Sequence, residues 1–314
     1  MFCSTIIPTI NRPTLTRAVQ SVLNQDYWED DFEVIVVNDS GRPLSQAAWQ
    51  ESPKVRLIDT NHRERCVARN SGAAIARGKY LHFLDDDDWI LPGAFKHLWS
   101  LASTGPAAWL YGGYRLVDSA GSLLEDCYPD ERGNCFIRFI VGEWLPLQAS
   151  IIDSKAFFSV GGFASLGSLR GGDEDVDLAR QISLRFEIAG TPNLLAEIRF
   201  GRDNSTTNYV GLREQSRVSR EKALNLPGAF ARLRASAMSR PANPSYWCGR
   251  MVWTFLASAA WNLQELRPFT AASRGLAGLV SMGVSGHHVV SKDFWRGATR
   301  LHQARGWLST ETQP

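Results

Sequence analysis

Lys79-Tyr80-Leu81-His82-Phe83-Leu84-Asp85-Asp86-Asp87-Asp88-Trp89-Ile90-Leu91 sets four consecutive carboxylates against the end of an apolar segment. Tyr80, Leu81, Phe83 and Leu84 read as a short buried strand in an α/β sheet. Asp85, Asp86, Asp87 and Asp88 then emerge together at the strand's C-terminal end, the edge at which open α/β sheets bind ligands. Four like charges there repel one another, so something positive must offset them. A hard divalent cation with oxygen ligands, Mg2+ or Mn2+ shared with a phosphate, is the natural candidate. A solvated acidic loop is the competing reading.

Outward from this run, strands and helices alternate through the first hundred residues. Phe2–Pro8, Glu33–Val37, Val55–Asp59 and Tyr80–Leu84 read as strands, and Thr14–Leu23 and Val67–Ala76 as helices. That order means βαβ units and a mostly parallel sheet flanked by helices. A helix to about Ala102 and a strand at Ala108–Val117 follow. The polar segment 118–135 reads as a surface hairpin or loop. Leu147–Ile152 and Leu194–Phe200 are further strands, and Lys155–Val160 and Asp177–Ala189 further helices.

Beyond about residue 212 the pattern becomes helical, with segments at 212–224, 228–238, 246–266 and 270–282. The expected division is therefore an α/β catalytic domain over 1–212 and a basic, Trp-rich helical extension over 213–314. Charge supports it: residues 1–200 hold 19 Lys/Arg against 26 Asp/Glu, and residues 201–314 hold 15 against 6, within a net charge of +2. A basic tail on an acidic head suggests contact with an anionic surface. Trp247, Met251, Trp253, Phe255, Leu256 and Trp261 make the third of these helices strongly apolar. It either packs on the catalytic domain or docks at a membrane interface. The five cysteines are scattered without a C-x-x-C spacing, which fits a reducing cytosol. No signal peptide or segment of bilayer-spanning length is read, so a cytoplasmic chain, soluble or peripheral at the membrane's inner face, is expected.

Three polar clusters follow strand ends: Pro8-Thr9-Ile10-Asn11-Arg12, Asn38-Asp39-Ser40 and the acidic run. On a parallel sheet their loops converge on one pocket. G-x-G-x-x-G and Walker A sequences are absent, which removes the commonest dinucleotide and NTPase readings. Asp39 can accept a hydrogen bond from a nucleobase N–H or a ribose hydroxyl, or can simply cap a turn. Arg69 brings a permanent positive charge toward the acids and any phosphate, unless it is a surface helix Arg. In Gly171-Gly172-Asp173-Glu174-Asp175-Val176-Asp177, Asp173 can cap a helix, and one acid can serve as a general base. Acids are also common at helix N-termini for dipole reasons alone.

Taken in order, Ile6–Arg12, Glu33–Ser40, Ala68–Ala73, Gly78–Asp88 and Glu174–Leu178 resemble the motifs of an inverting family-2 glycosyltransferase with the GT-A nucleotide-sugar fold. The resemblance covers about residues 2–205. It implies that Thr9, Asn11 and Asp39 line the nucleobase and ribose pocket with Arg69 nearby. It makes Asp85 and Asp87 a D-x-D pair, Asp85 toward ribose and Asp87 toward metal and diphosphate. Asp86 counts among the donor-binding residues or is only a solvated neighbour, and Asp88 helps to shape the site. Asp175 is implied as the catalytic base, with Glu174 as understudy. The implied cofactors are Mn2+ or Mg2+ and a nucleotide-sugar donor, a UDP-sugar. The implied partner is a glycan or lipid-linked acceptor, with peripheral contact to an anionic membrane and no nucleic acid.

Departures from the pattern are visible. Asn38 stands where an acid is usual, and Ala164 and Ser165 replace the acids expected after Gly161-Gly162-Phe163. Ile198–Ser205 offers no histidine near the metal, with Asp203 as a substitute. Gln303-Ala304-Arg305-Gly306-Trp307 has the wrong spacing for a processive synthase, so transfer of a single sugar is expected. The competing functions are a sugar-phosphate nucleotidyltransferase, which would release pyrophosphate, and a noncatalytic nucleotide-sugar-binding protein.

Overall fold

Cys3–Thr9 (β1) and Phe32–Asn38 (β2) are short apolar runs rich in β-branched residues, and the sheet buries them on both faces. The structure, a computed structural model, describes residues 1–26, 31–60, 64–129, 132–143, 145–164, 174–200, 209–239 and 243–299, with backbone alone for 209–214. Asp173, Ser165, Asp203 and the 303–307 segment lie outside the described residues.

Leu15–Leu23 (α1) follows β1, and Val55–Asp59 (β3), Arg65–Ile75 (α2) and Tyr80–Phe83 (β4) follow β2. β1 pairs in parallel with both β2 and β4, and β2 pairs in parallel with β3. The order β3-β2-β1-β4 reverses direction at β1, so the carboxyl ends of β1 and β4 flank a topological switch point. Thr9 and the acidic run are the residues at those two ends.

The sheet continues through Trp89–Ile90 (β5), Trp109–Val117 (β6), Leu123–Cys127 (β7), Ser150–Asp153 (β8) and Ile188–Arg199 (β9), in the order β4-β8-β6-β9-β5 with β7 beside β6. β8 is antiparallel to both β4 and β6, and β9 is parallel to β6. The polar segment after residue 118 is therefore a hairpin, with β7 returning along β6. Ala94–Ala102 (α3), Ser154–Ser159 (α5) and Glu174–Arg185 (α6) complete this part, together with a short helix, Phe136–Ile140 (α4), treated below.

Two glycines show how closely the layers approach. A Cβ on Gly72 would lie 2.5 Å from Ile6 Cγ2, so α2 sits on β1 only because that position is bare. A Cβ on Gly78 would lie 2.5 Å from the Ser4 amide nitrogen and 2.7 Å from the Cys3 carbonyl carbon, both backbone atoms that cannot step aside. We expect Gly78→Ala to destabilise the chain by about 1–3 kcal/mol, read from urea unfolding.

Contacts divide the chain into two units. The first holds Met1–Cys135 with Trp144–Arg220, and the second holds Phe136–Glu143 with Glu221–Pro314. The 212/213 position falls inside Tyr209–Leu224 (α7), and the division of contacts comes later in the same helix. In the second unit, α4 packs with Ala229–Met238 (α8) and Pro244–Gln264 (α9). Pro268–Val284 (α10) and Lys292–Thr299 (α11) also pack on α9. Trp247, Met251, Phe255 and Trp261 of α9 are buried, so these side chains serve packing and not a membrane surface. No described helix is long and apolar enough to cross a membrane.

Candidate active site

Asp85 begins the turn after β4, where the Asp88 amide donates back to the Asp85 carbonyl at 3.1 Å. The turn sends the four carboxylates to four different surroundings. Asp86 is buried and accepts from the Thr9 hydroxyl at 2.5 Å and from Arg12. It is thus an internal lock between β1 and β4, not a solvated neighbour. Thr9 is buried with it, and its oxygen also accepts from the Asn11 amide at 2.9 Å. Asn11 itself is exposed in a left-handed conformation at φ +69°.

Asp85 is bound on both oxygens, by Arg69 Nη2 at 2.6 Å and Gln148 Nε2 at 3.1 Å. Burial acts against its charged form, but the Arg69 guanidinium outweighs burial and holds the carboxyl below the usual range. Asp88 is buried and accepts from Gln148 Nε2 at 2.8 Å and from the Arg199 amide at 2.8 Å. Burial, joined by the charges of Asp85 and Asp87, raises its affinity for a proton well above normal. Asp87 is half-buried, with Arg12 at 3.8 Å, and burial and Asp85 raise its carboxyl too. The repulsion read as calling for an external cation is thus offset largely by Arg12 and Arg69. A carboxyl tuned toward protonation relieves the rest.

Arg69 reaches this cluster because α2 turns it inward with Cys66, Ala68, Gly72 and Ala73, while Glu64 caps the helix by accepting from the Cys66 and Val67 amides. It is a buried residue, not a surface one, and its charge is deepened by Asp85 and Glu174 against the cost of burial. Arg69 Nη1 donates to Glu174 Oε1 at 3.0 Å, and Arg65 Nε lies 2.7 Å from the same oxygen.

Helix α6 begins at Glu174, earlier than the Asp177 start read from the sequence, and ends at Arg185 where β9 soon follows. Glu174 and Asp175 therefore occupy its first turn, where the helix dipole favours anions. Asp175 Oδ1 accepts from the Val176 amide at 2.8 Å. Burial, then the neighbouring Glu174 charge, pushes the Asp175 carboxyl up to about 6 against the pull of Arg69 and Arg65. Glu174, tied to two guanidinium groups, holds the helix end in place, so the two adjacent acids have separate parts. The helix is anchored further along by Arg180, which donates to Ser219 at 2.7 Å and Ser216 at 2.9 Å.

Asn38 accepts from the Ser40 amide and hydroxyl and donates to Asp59 at 2.6 Å and to the Arg42 carbonyl at 2.7 Å. An amide, both donor and acceptor, closes this turn in a way that a carboxylate could not. Asp39 is held by the Thr60 hydroxyl at 2.8 Å. Ile10, Asn11, Asp39, Ser40 and Arg42 line an open cavity of about 530 Å3. The structure thus brings Asn11 and Asp39 to one pocket and Arg69, Asp85 and Glu174 to one ion-pair chain, while Thr9 turns inward to Asp86.

The sequence did not reveal Gln148, which bridges Asp85 and Asp88 from a 3-10 turn at Leu147–Ala149. Its carbonyl accepts from His82 Nε2 at 3.0 Å, and His82 Nδ1 lies 3.0 Å from the Thr5 hydroxyl. Burial drops the His82 ring to about 4, so it braces Gln148 as a neutral imidazole. No local pattern marks either residue. Arg12 was visible only as a member of the polar cluster after β1, and nothing local ties it to Asp86, 74 positions away.

Among the described residues no group of three or more His, Cys, Asp or Glu side chains is arranged to hold a metal ion. Asp85 has both oxygens engaged, so Asp87 is the carboxylate left for one. Mg2+ is commonly held by one or two carboxylates with substrate phosphates completing its shell. The donor set fits a cation shared with a diphosphate and does not fit an all-protein cage.

The chain is thus a Rossmann-like α/β sheet with an acidic wall at its switch point and an open cavity lined by Asn11 and Asp39. The family model described as Glycosyl transferase family 2 matches residues 4–157, and the chain carries a domain of that family. It is 26% identical over 163 residues to poly(ribitol-phosphate) beta-N-acetylglucosaminyltransferase TarP of Staphylococcus aureus, covering 50% of this chain and 46% of that protein. It is 31% identical over 130 residues to a GalNAc(5)-diNAcBac-PP-undecaprenol beta-1,3-glucosyltransferase of Campylobacter jejuni, covering 39% of this chain and 41% of that protein. With a Rickettsia bellii glycosyltransferase the match spans 29% of the relative's length, so the chain spans less than half of each of these relatives. Among solved structures, S. aureus TarS 1–349 in complex with UDP-GlcNAc matches 98% of this chain and 95% of its own at a TM-score of 0.61 and 15% identity, which is a likeness of fold.

Proposed function

We propose that the chain is an inverting, nonprocessive glycosyltransferase. It uses Mn2+ or Mg2+ and moves one sugar from a UDP-sugar to a hydroxyl of a glycan or lipid-linked acceptor at the cytoplasmic face of the membrane. The observation that carries this reading is Asp175, a carboxyl raised to about 6 and fixed on the first turn of α6, one residue from the Glu174–Arg69–Asp85 chain. Such a group is ionised at neutral pH and still basic enough to take a proton. The UDP-GlcNAc complex of TarS supports the choice of donor.

Asn11 and Asp39 line the cavity for nucleobase and ribose, and Arg69 sets positive charge near the diphosphate. Asp87 would hold the divalent cation, which when bound neutralises charge on the leaving diphosphate. Asp175 takes the proton of the acceptor hydroxyl as its oxygen bonds to the anomeric carbon. The bond from that carbon to the β-phosphate oxygen breaks on the opposite face, and the nucleoside diphosphate leaves with its electron pair. One displacement inverts the centre and needs no covalent glycosyl-enzyme.

A panel of nucleotide sugars with a hydroxyl acceptor, run with Mn2+ and with EDTA, tests the reading. The expected products are nucleoside diphosphate and an inverted glycoside, lost when the metal is chelated. A parallel assay with a nucleoside triphosphate and a sugar 1-phosphate that releases pyrophosphate would instead indicate a nucleotidyltransferase, and metal-dependent donor binding without turnover would indicate a binding protein.

A further inference from the structure

Three of the four carboxylates in the acidic turn have both oxygens engaged. Asp86 takes the Thr9 hydroxyl on one oxygen and Arg12 on the other. Asp85 is shared between Arg69 and Gln148, and Asp88 between Gln148 and the Arg199 amide. Asp87 is the one left for a cation. A ligand hydroxyl arriving at this wall therefore needs an acceptor that the aspartates do not supply.

Gln148 presents one. Its Nε2 is the atom that meets both Asp85, at 3.1 Å, and Asp88, at 2.8 Å. Asp85 is ion-paired with Arg69, and a carboxylate only accepts, so the amide nitrogen has to face it. The other side of the amide, Oε1, accepts from none of the described residues. The side chain is half-buried, and this oxygen is not one of the buried polar atoms without a partner, so it opens outward. An amide whose N–H groups are both held by carboxylates is polarised, which strengthens its oxygen as an acceptor.

The main chain beneath this side chain is held by a buried histidine. His82 is the one strongly polar side chain of β4. The Gln148 carbonyl can only accept, so His82 Nε2 carries the proton and Nδ1 accepts from the Thr5 hydroxyl. A polar ring in the core is costly unless it is bonded, and these two bonds tie the Gln148 main chain to β1 and β4. β8 runs antiparallel to β4, so Gln148, just before β8, lies at the carboxyl end of β4. The sheet order β2-β1-β4-β8 then sets the Asn11 and Asp39 cavity, the acidic wall and Gln148 side by side in that sequence. With the nucleoside in the cavity and the diphosphate at the wall, Gln148 stands where the sugar projects. We propose that Gln148 recognises the transferred sugar, its Oε1 accepting a hydrogen bond from one of the sugar hydroxyls, with His82 as its positioning residue. This rests on the nucleotide-sugar reading above.

Titration calorimetry with Mn2+ present tests it, using UDP, the donor that the nucleotide-sugar panel selects, and analogues of that donor lacking one sugar hydroxyl at a time. Gln148→Lys keeps N–H donors toward Asp85 and Asp88 but presents no acceptor. It should leave Tm and UDP affinity near those of the parent chain, yet bind the complete donor on the order of tenfold more weakly. One deoxy analogue should lose a similar factor against the parent chain and almost nothing against Gln148→Lys. His82→Phe fills the place of the ring without either hydrogen bond, and should give an intermediate loss on the complete donor and none on UDP. If every deoxy analogue loses equally in both chains, or UDP affinity falls along with that of the donor, Gln148 only braces the wall and the proposal is overturned. A parent chain that binds no nucleotide sugar would instead defeat the reading on which the proposal rests.

Discussion

Replacing Asp175 by Asn should lower sugar transfer by between about 10^2- and 10^4-fold while leaving nucleotide affinity close to that of the parent chain. The amide keeps the shape of the carboxylate and an oxygen for the Val176 amide, so the first turn of α6 stays formed. It cannot accept a proton from an attacking hydroxyl. The loss should fall on kcat, because the interaction it removes is made only as the acceptor oxygen attacks. Glu174→Gln makes the informative contrast. It leaves the base in place but weakens the contacts to Arg65 and Arg69, so Tm should drop before the chemistry does. Turnover undiminished in Asp175→Asn, with a normal Tm, would reject the assignment.

The same residue sets the pH dependence. Asp175 acts only when ionised, and its carboxyl is raised to about 6 by burial and by Glu174, so transfer should rise with pH through that value and level off above it. Stability runs the other way. Between the ordinary aspartate range and about 6 the folded chain binds more protons at this site than the unfolded chain does, so ionising the site costs folding free energy as pH rises through that window. Asp175→Asn should flatten both slopes together.

Much of the fold was legible because its signals are local. Val55–Asp59 kept its bounds, and the strand before the acidic run ended one residue short of the reading, although the Leu84 amide still donates to the Ile6 carbonyl at 3.0 Å. The antiparallel insertion of β8 between β4 and β6 was not legible, since nothing within Ser150–Asp153 names its neighbours. The site divides in the same way. Asp39, Asp85 and Asp175 could be read from motifs, but the partners that decide their chemistry lie far away in sequence. Arg69 meets Glu174 across 105 positions, and Thr9 meets Asp86 across 77. The tryptophans left two readings open for a related reason: composition alone does not say which face of a helix its neighbours cover, and here they cover the face that carries Trp247 and Trp261.

Arg69→Met should destabilise the chain by about 3–5 kcal/mol, because it strips a buried cation from buried Glu174 and from Asp85 and leaves those charges without their shared partner. In thermal unfolding that is a fall in Tm on the order of 10 °C. Arg69→Lys should lie between, since its three N–H groups radiate from one nitrogen and do not reproduce the two spaced nitrogens that reach Asp85 at 2.6 Å and Glu174 at 3.0 Å. The double change Arg69→Met with Glu174→Met should recover part of the lost stability, as apolar replacements of buried ion pairs commonly do. It should recover no transfer. Arg69 and Glu174 join the β4 turn to the first turn of α6, the turn that carries Asp175; methionines can fill the volume of that join but cannot fix the turn through directed hydrogen bonds. Stability regained without activity would identify the ion-pair chain as a positioning device, and recovery of both would show that packing alone suffices to place the base.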